Sequence, residues 1–376
     1  MRHRILVGAA AVLCAFGLAA QSVTLPPSGG NERQTIIQQI GTVKVTVDYS
    51  SPHVHSPSGQ DRRGKIWGQL VPYGLVNLGF GTCKECPWRA GANENTTFTT
   101  SNDILVEGQK LAAGTYGVHM IPDPNEWTVI FSNNHTSWGS FTYDPAEDAL
   151  RVKVKPEKSA YTEVLTYDFT ERRNDHATLA LRWEELAVPI NITVPNSKDL
   201  YIAAIKNELR SSPGFTWQNW ADAARYAIDN KYKAEAMQWA KAAAFGPQGL
   251  GNENFRTLML VSEADELNGN AEEAKAMRDK ALATPTATPL DIHLAGRAVL
   301  AKGDKEGALK IFQWNAKRFP KQWPVNVGLA RGYSAVGQYD EALKYAKLAA
   351  AEAPDPGNKK NMEDAVKKLE AKQDIN

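Results

Sequence analysis

Apolar residues recur at every second position through much of the first half of the chain. The clearest run has Val43, Val45, Val47 and Tyr49 between polar neighbours. Similar runs follow at 116–120, 127–131, 152–154, 165–169, 179–183 and 188–194. A period of two is typical of strands with one buried face, and Gly, Pro, Asn and Asp turn residues separate the runs. The pattern indicates an antiparallel sandwich or barrel of eight to ten short strands, and we expect the β-sandwich.

After Pro195 the pattern changes to that of helices rich in Ala, Lys, Glu and Leu. A short motif with Gly first and Ala last recurs every 34 residues, at 269–274, 303–308 and 337–342, and a looser copy lies at 230–236. Thirty-four residues is the tetratricopeptide period. Gly permits the sharp turn between two helices, and Ala lets them approach closely. We predict an all-α, tetratricopeptide-like domain of three or four helix pairs; ordinary helical hairpins without a superhelix are the alternative.

These patterns divide the chain into residues 1–20, 21–195 and 196–376. In the first segment Arg2 and Arg4 precede an uncharged apolar run that ends in small residues, which is the pattern of a signal peptide. The protein is therefore predicted to be exported, to the periplasm or the cell exterior. An uncleaved N-terminal anchor is the alternative. No later apolar run reaches the roughly 20 residues that a transmembrane helix needs.

The charges nearly cancel, with 43 Lys and Arg against 42 Asp and Glu. A nucleic-acid-binding domain normally has a basic excess, so we expect no nucleic-acid partner. Apolar residues make up 43% of the chain and ten residues are Trp, which excludes a disordered or coiled-coil protein. The length is sufficient for two hydrophobic cores.

Several blocks of the strand-rich half resemble DUF2911, an exported bacterial domain family of unknown function. The blocks that carry the resemblance are Asp48–Ser50, Arg63–Gly68, Leu70–Gly74, Trp88–Glu94, Leu111–Tyr116, Glu126–Phe131, Trp138–Gly139 and Tyr143–Asp144. They follow in the expected order over about 150 residues, between Val43 and Val194. The resemblance implies an exported β-domain followed by a tetratricopeptide-like tail, and it implies no particular activity.

A polar loop at 87–96 holds the main candidate site. Arg89 could clamp a carboxylate, Glu94 could act as an acid or base, and Asn93 could orient a ligand beside Trp88. The alternative is structural: Arg89 pairs internally with Glu94 or Asp144 and holds the loop on the sandwich. No nucleophile and base are apparent beside these residues.

Cys83 and Cys86 are the only cysteines after the signal peptide. Their two-residue spacing suits a disulfide, which an oxidising compartment favours. The alternatives are free thiols or a metal site completed by His53 and His55 of a neighbouring loop. Apart from that metal ion, no cofactor is predicted.

Trp127 and Trp183 alternate with core residues and are predicted to be buried. His119 alternates out of phase with Val118 and Met120 and is predicted to face solvent.

Two functions from different classes remain open. One is an exported binding or scaffold protein, whose β-domain recognises a ligand or partner and whose helical repeats bind a protein or peptide. The alternative is a hydrolase that acts on cell-envelope or polysaccharide material, with Glu94 as acid/base, Arg89 as anion clamp and Trp88 or Trp138 for stacking. A glycosidase of this kind needs a second carboxyl, for which Asp144 and Asp148 are the candidates. Whether the protein is an enzyme is not decided by the sequence.

Overall fold

The structure, a computed structural model, describes residues 31–247 and 250–376. The predicted signal peptide, residues 1–20, lies outside the described residues. The described residues divide into two compact units, with the boundary between Ser197 and Lys198. Antiparallel sheets make up the described part of the first unit and helices the second, so the predicted order of a β-domain and an α-domain is confirmed.

The strands of the first domain form two antiparallel sheets. In chain order they are β1 (Glu32–Ile40), β2 (Val43–Ser51), β3 (Thr96–Thr100), β4 (Ile104–Val106), β5 (Gln109–Leu111), β6 (Gly114–Ile121), β7 (Trp127–Ser132), β8 (Asp148–Val154), β9 (Glu157–Thr170) and β10 (His176–Thr193). One sheet has the order β1-β2-β3-β6-β7-β8 and the other β5-β4-β10-β9. All of these strand pairs are antiparallel.

Large side chains from both sheets meet in the core. Tyr49 of β2 and Tyr167 of β9 pack edge to face, with ring centroids 4.8 Å apart. Trp127 of β7 and Trp183 of β10 are fully buried, as predicted, and both contact the loop residue Trp67. Burial of an aromatic side chain contributes about 1.5–3 kcal/mol, so these contacts hold the two sheets together as a sandwich.

The first strand was not among those predicted. β1 pairs with β2 over its full length, from Glu32 opposite Ser51 to Ile40 opposite Val43. Ile40 is its only fully buried residue, because β1 lies at the edge of the sheet and exposes most of its side chains. Without a row of buried positions, the strand has no clear period-two pattern.

The second domain is a row of antiparallel helix pairs. The helices are α1 (Ser197–Glu208), α2 (Trp217–Asp229), α3 (Lys233–Phe245), α4 (Phe255–Asn268), α5 (Ala271–Ala283), α6 (Pro289–Ala301), α7 (Lys305–Arg318), α8 (Trp323–Ala335), α9 (Tyr339–Ala351) and α10 (Pro356–Glu370). Consecutive helices pack on each other from α2 to α5 and from α6 to α10, and in addition α2 packs on α4 and α6 packs on α8.

The 34-residue period is visible directly in the helix boundaries. The first helices of three successive pairs begin at Phe255, Pro289 and Trp323, and their second helices begin at Ala271, Lys305 and Tyr339. Both series therefore advance by 34 residues per pair, which is the tetratricopeptide period.

The repeated small residues have the predicted roles. Ala274, Ala308 and Ala342 are all buried between helices, and so is Ala236 of the looser copy. The glycine positions that begin the motif adopt left-handed φ angles of 88°, 91° and 78°. In the looser copy Lys231 takes this position with a φ of 65°, a conformation that costs a non-glycine residue about 1–2 kcal/mol.

Candidate functional site

The long segment between β2 and β3 provides most of the lining of an open cavity of about 400 Å³ in the first domain. Its polar lining side chains are Asn31, Arg62, Arg89, Asn93 and Ser140. Its larger apolar lining side chains are Leu70, Val71, Val76, Leu78, Trp88 and Trp183. The cavity therefore brings together three of the predicted ligand-binding residues, Trp88, Arg89 and Asn93. Glu94 is not among its lining residues.

The loop that carries Arg89 is fixed to both sheets. The backbone of Trp88 exchanges two hydrogen bonds of 2.8 Å with Met120 of β6. The next residue but one, Ala90, is fully buried with a left-handed φ of 53°. Its carbonyl accepts hydrogen bonds from the Tyr167 hydroxyl at 2.9 Å and from Thr96 Oγ1 at 3.0 Å. Backbone strain of this kind persists only where the surroundings enforce it, so the loop is preorganised.

The Arg89 guanidinium is held between backbone and an aromatic ring. Its Nη1 donates a 2.7 Å hydrogen bond to the carbonyl of Asn93, and its Cζ lies 4.9 Å from the ring centroid of Phe141. Gly139 approaches so closely that a Cβ atom there would lie 2.3 Å from Arg89 Cζ. Burial lowers the pKa of Arg89 below its ordinary value, although the group keeps its charge at neutral pH.

Neither carboxylate proposed as an internal partner pairs with Arg89. Glu94 is exposed and lies 3.9 Å from Arg33, while Asp144 caps a 3₁₀ turn by accepting a 2.9 Å hydrogen bond from the backbone of Ala146. Among the described residues, no carboxylate lies within ion-pair distance of Arg89. The structural alternative is therefore wrong as regards these two partners.

The residues named for a hydrolase are not gathered in the cavity. Asp148 accepts a hydrogen bond from the Tyr143 hydroxyl at 2.9 Å and pairs with Arg151. Trp138 is 56% exposed and does not line the cavity. Glu94 as an acid/base stays a prediction.

The prediction that His119 faces solvent is wrong. Its side chain is buried, with Nδ1 2.9 Å from the Ser140 hydroxyl and its ring packed edge to face on Tyr143. The reason is that loops cover the outer face of β6, so both faces of this strand are buried. Burial, together with the nearby charge of Arg89, lowers the pKa of His119 to about 4. The imidazole is therefore neutral at pH 7.

Sequence reasoning missed Ser140 as a site residue. This side chain is buried, lines the cavity and hydrogen-bonds to His119 at 2.9 Å. The only available indication was its position directly after the Trp138–Gly139 block.

Cys83 and Cys86 form a disulfide with their Cα atoms 5.6 Å apart. The pair is buried against Ile130 of β7 and Tyr143, and it belongs to the cover over the outer face of the first sheet. Both sulfurs are thus engaged with each other.

His53 and His55 bond to carboxylates. A ring nitrogen of His53 lies 2.8 Å from Glu32, and Nδ1 of His55 lies 2.9 Å from Glu163. In the ranges that the structure describes, no group of three or more His, Cys, Asp or Glu side chains is arranged to hold a metal ion. The structure does not bring the two histidines and the two cysteines together as one site.

The second domain has two adjacent cavities of about 560 and 320 Å³. Both are lined by Arg225 of α2, by Met259 and Glu263 of α4, and by Ala295 and Ala298 of α6. These are the first helices of three successive pairs, so the cavities form one surface along the repeat. The surface holds charges of both signs, including an Arg225–Glu263 ion pair at 2.6 Å.

No helix within the described ranges is both long enough and apolar enough to cross a membrane.

Comparison with known proteins finds a family model that matches the first domain. Residues 31–192 match the model of a protein family of unknown function, DUF2911. No curated protein matches the chain.

Several solved structures, two of them described as tetratricopeptide or tetratricopeptide-like proteins, are similar to part of this chain. MamA is 18% identical with a TM-score of 0.31 and covers 42% of this chain and 88% of its own. A thermophilic tetratricopeptide protein of Thermus thermophilus is 17% identical with a TM-score of 0.32, and the match covers 45% of this chain and 91% of that protein. A putative kinesin light chain of Podospora anserina with tetratricopeptide-like repeats is 17% identical with a TM-score of 0.31, and the match covers 41% of this chain and 85% of that protein.

Proposed function

With residues 31–192 matching DUF2911, a family of unknown function, we propose that the protein is an exported binding or scaffold protein. Its helical repeats bind a protein or peptide, and its β-domain recognises a ligand or a second partner. Helical repeats in general use the surface formed by successive repeats for protein interaction.

The observation that carries the proposal is the continuous surface on α2, α4 and α6. Its two cavities share five lining residues, so a single extended chain could occupy both. Leu294 adds an exposed apolar side chain at the second cavity, with 51% of its surface accessible. Arg225 and Glu263 supply polar groups that could fix the orientation of a bound segment.

The test is a substitution that fills this surface without disturbing the core. Ala298 is exposed and lines both cavities, so Ala298→Arg should block binding while the helix stays folded. Ala301→Arg is the matched control, since Ala301 is also exposed on α6 and lines neither cavity. The readout is the amount of each partner that copurifies with the full chain from its native host, measured by quantitative mass spectrometry.

We expect Ala298→Arg to lose at least 90% of a specific partner and Ala301→Arg to keep it. Equal recovery with both variants would refute binding at this surface.

Export is supported by the predicted signal peptide and by the Cys83–Cys86 disulfide, because disulfides persist mainly in oxidising compartments. Cell fractionation together with N-terminal sequencing tests it. We expect a mature chain cleaved around Ala19 to Gln21 in the periplasmic or extracellular fraction. Recovery of the full-length chain from the cytosol would contradict export, and recovery of an uncleaved chain from membranes would favour the anchor.

A further inference from the structure

The cavity of the first domain has a marked positive charge. Arg62 and Arg89 line it, and no Asp or Glu is found among its described lining residues. Buried or half-buried charges are normally paired, because an unpaired charge loses its hydration without compensation. The cavity therefore favours a negatively charged occupant.

The two arginines differ in how far their hydrogen bonds are already used. Arg62 donates to the carbonyls of His53 at 2.6 Å and Val54 at 3.0 Å, so it anchors its own loop. Arg89 donates one hydrogen bond, from Nη1 to Asn93, within the part of the chain that the structure describes. A guanidinium has five N–H donors in a planar fork, so four of the Arg89 donors make no hydrogen bond within the described residues.

The rest of the wall suits an apolar group. Leu70, Val71, Trp88 and Trp183 line the cavity, and the Trp88 and Trp183 rings lie nearly parallel at 6.4 Å. A volume of about 400 Å³ lies within the range of small-molecule sites, about 300–1,000 Å³. Polar groups and apolar wall together describe a site for a molecule with one charged end.

We propose that this cavity binds a small organic carboxylate with an aromatic or aliphatic body, and that Arg89 clamps the carboxylate. Ser140 and Asn93 provide further polar contacts, and the tryptophan side chains pack against the body of the ligand. A guanidinium matches one planar carboxylate, and the apolar part of the wall suits an organic body, which inorganic phosphate lacks. This inference rests on the proposed role of the β-domain in recognition and names its ligand class.

The site is formed before a ligand arrives. Ala90 and Asn93 hold left-handed φ angles of 53° and 57°, and between them the backbone N–H of Ala92 donates a 3.1 Å hydrogen bond to the carbonyl of Ser50. Gly139 leaves room for the guanidinium, since any side chain there would collide with it. A preorganised site loses little conformational entropy on binding, which favours affinity for a small ligand.

The test is isothermal titration calorimetry on the full chain with matched probes. Phenylacetate and hexanoate are compared with phenylacetamide and hexanamide, which keep the apolar body but lack the charge. Acetate and inorganic phosphate carry a negative charge with almost no apolar body, so they test whether the charge alone is sufficient for binding. We expect both acids to bind at least tenfold more tightly than their amides, and more tightly than acetate or phosphate.

Two pairs of variants assign the binding to this cavity. Arg89→Gln should weaken the binding of both acids at least tenfold. Arg63→Gln should not weaken it, because Arg63 is exposed and does not line the cavity. Leu70→Glu places a negative charge on a lining residue that is 47% exposed, so it should weaken the acids without affecting folding. Leu75→Glu is its control, because Leu75 is 42% exposed on the same loop and does not line the cavity.

The outcomes separate the ligand class from the general proposal. If the amides bind as tightly as the acids and Arg89→Gln has no effect, the proposal of a carboxylate ligand is wrong. The β-domain would then still be a recognition domain, but for neutral ligands. Phosphate that binds more tightly than both acids, or no binding by any probe at millimolar concentration, would also overturn the proposal of a carboxylate ligand. Partner binding by the helical repeats is measured separately with Ala298→Arg.

Discussion

The close approach of Gly139 to Arg89 gives a quantitative prediction. Gly139 has a left-handed φ of 63°, and a Cβ atom built on it would lie 2.3 Å from Cζ and 2.6 Å from Nε of Arg89. Gly139→Ala therefore introduces two separate costs. The backbone must hold an unfavourable conformation, and the guanidinium must move away from the carbonyl of Asn93.

The structure contains a position that isolates the first cost. Gly64 has almost the same φ, 68°, and an added Cβ atom there would meet nothing within 4 Å. Gly64→Ala should lower the free energy of unfolding by about 1–2 kcal/mol, the cost of a left-handed L-residue. Gly139→Ala should cost about 1.5–3 kcal/mol more if the Arg89–Asn93 hydrogen bond is lost, because one partner is charged.

Hydrogen exchange measured by mass spectrometry can report on the first domain within the full chain. Peptides from Trp127–Ser132 and His176–Thr193 cover the central strands, whose amides exchange mainly when the whole domain opens. The free energy of opening is compared for wild type, Gly64→Ala and Gly139→Ala. Each glycine variant is then repeated in an Arg89→Ala background.

With the guanidinium removed, Gly139→Ala should cost no more than Gly64→Ala. The coupling energy of Gly139 and Arg89 is the cost of Gly139→Ala in the wild-type chain minus its cost in the Arg89→Ala background. Equal costs of the two glycine variants in the wild-type chain would refute the conclusion that Gly139 makes room for Arg89.

Three further predictions concern the buried parts of the two domains. Because the pKa of His119 is held near 4 in the folded state, against 6.5 for the unconstrained side chain, only the unfolded chain gains a proton at this residue between these values. The contribution of His119 to the stability of the first domain should therefore be constant above about pH 6.5 and fall by up to about 3 kcal/mol as the pH drops to about 4, measured by exchange in that domain. Without reductant, denatured mature protein should take up no alkylating reagent at Cys83 or Cys86, and reduction should cost about 2 kcal/mol by the chain-entropy relation for so short a loop. In the helical domain, Gly296→Ala should destabilise by about 1–3 kcal/mol in urea unfolding, because the new Cβ atom would lie 2.4 Å from the ring of Phe312.

Each of these predictions has a control. His119→Gln keeps a hydrogen-bonding side chain but cannot titrate, so its stability should vary less with pH, and an unchanged slope would contradict the assignment. Gly357→Ala is a helical control for Gly296→Ala, since its Cβ atom would meet only an Asp355 oxygen at 3.2 Å. It should be neutral or stabilising, as alanine favours helix by about 1 kcal/mol over glycine. Uptake of reagent at either cysteine without reduction would contradict a formed disulfide.

The order of the two domains follows from the local pattern of the sequence. Strands with one buried face repeat every two residues, so runs such as Val43 to Tyr49 are recognisable without any tertiary information. The helical repeat is equally local, because each pair uses the same small residues at the same interval. Ala274 and Ala308 are predicted to be close-contact positions and are buried as such.

Two features of the first domain, the strand β1 and the burial of His119, depend on tertiary contacts that the periodicity of the sequence does not reveal. β1 is an edge strand with mostly exposed side chains, and it is a strand because β2 offers hydrogen bonds along its whole length. His119 has the alternation of a solvent-facing residue, yet it is buried because the loop carrying Ser140 and Tyr143 covers that face of the sheet.

The candidate site shows the same division between sequence and tertiary structure. Trp88, Arg89 and Asn93 of the polar loop that follows Pro87 line one cavity, because residues so close in sequence stay close in space. Which way each side chain points was decided by the fold: Glu94 is exposed, whereas Arg89 lies against Phe141.

The sequence by itself determined that a strand-rich domain precedes a helical repeat, since both periods are properties of consecutive residues. Only the tertiary structure decided that Arg89 has no carboxylate partner among the described residues and that it shares a cavity with Ser140 and Trp183. The physical reason is that the charge balance and shape of a cavity depend on side chains that lie far apart in the chain and meet only when the loops fold over the sheets.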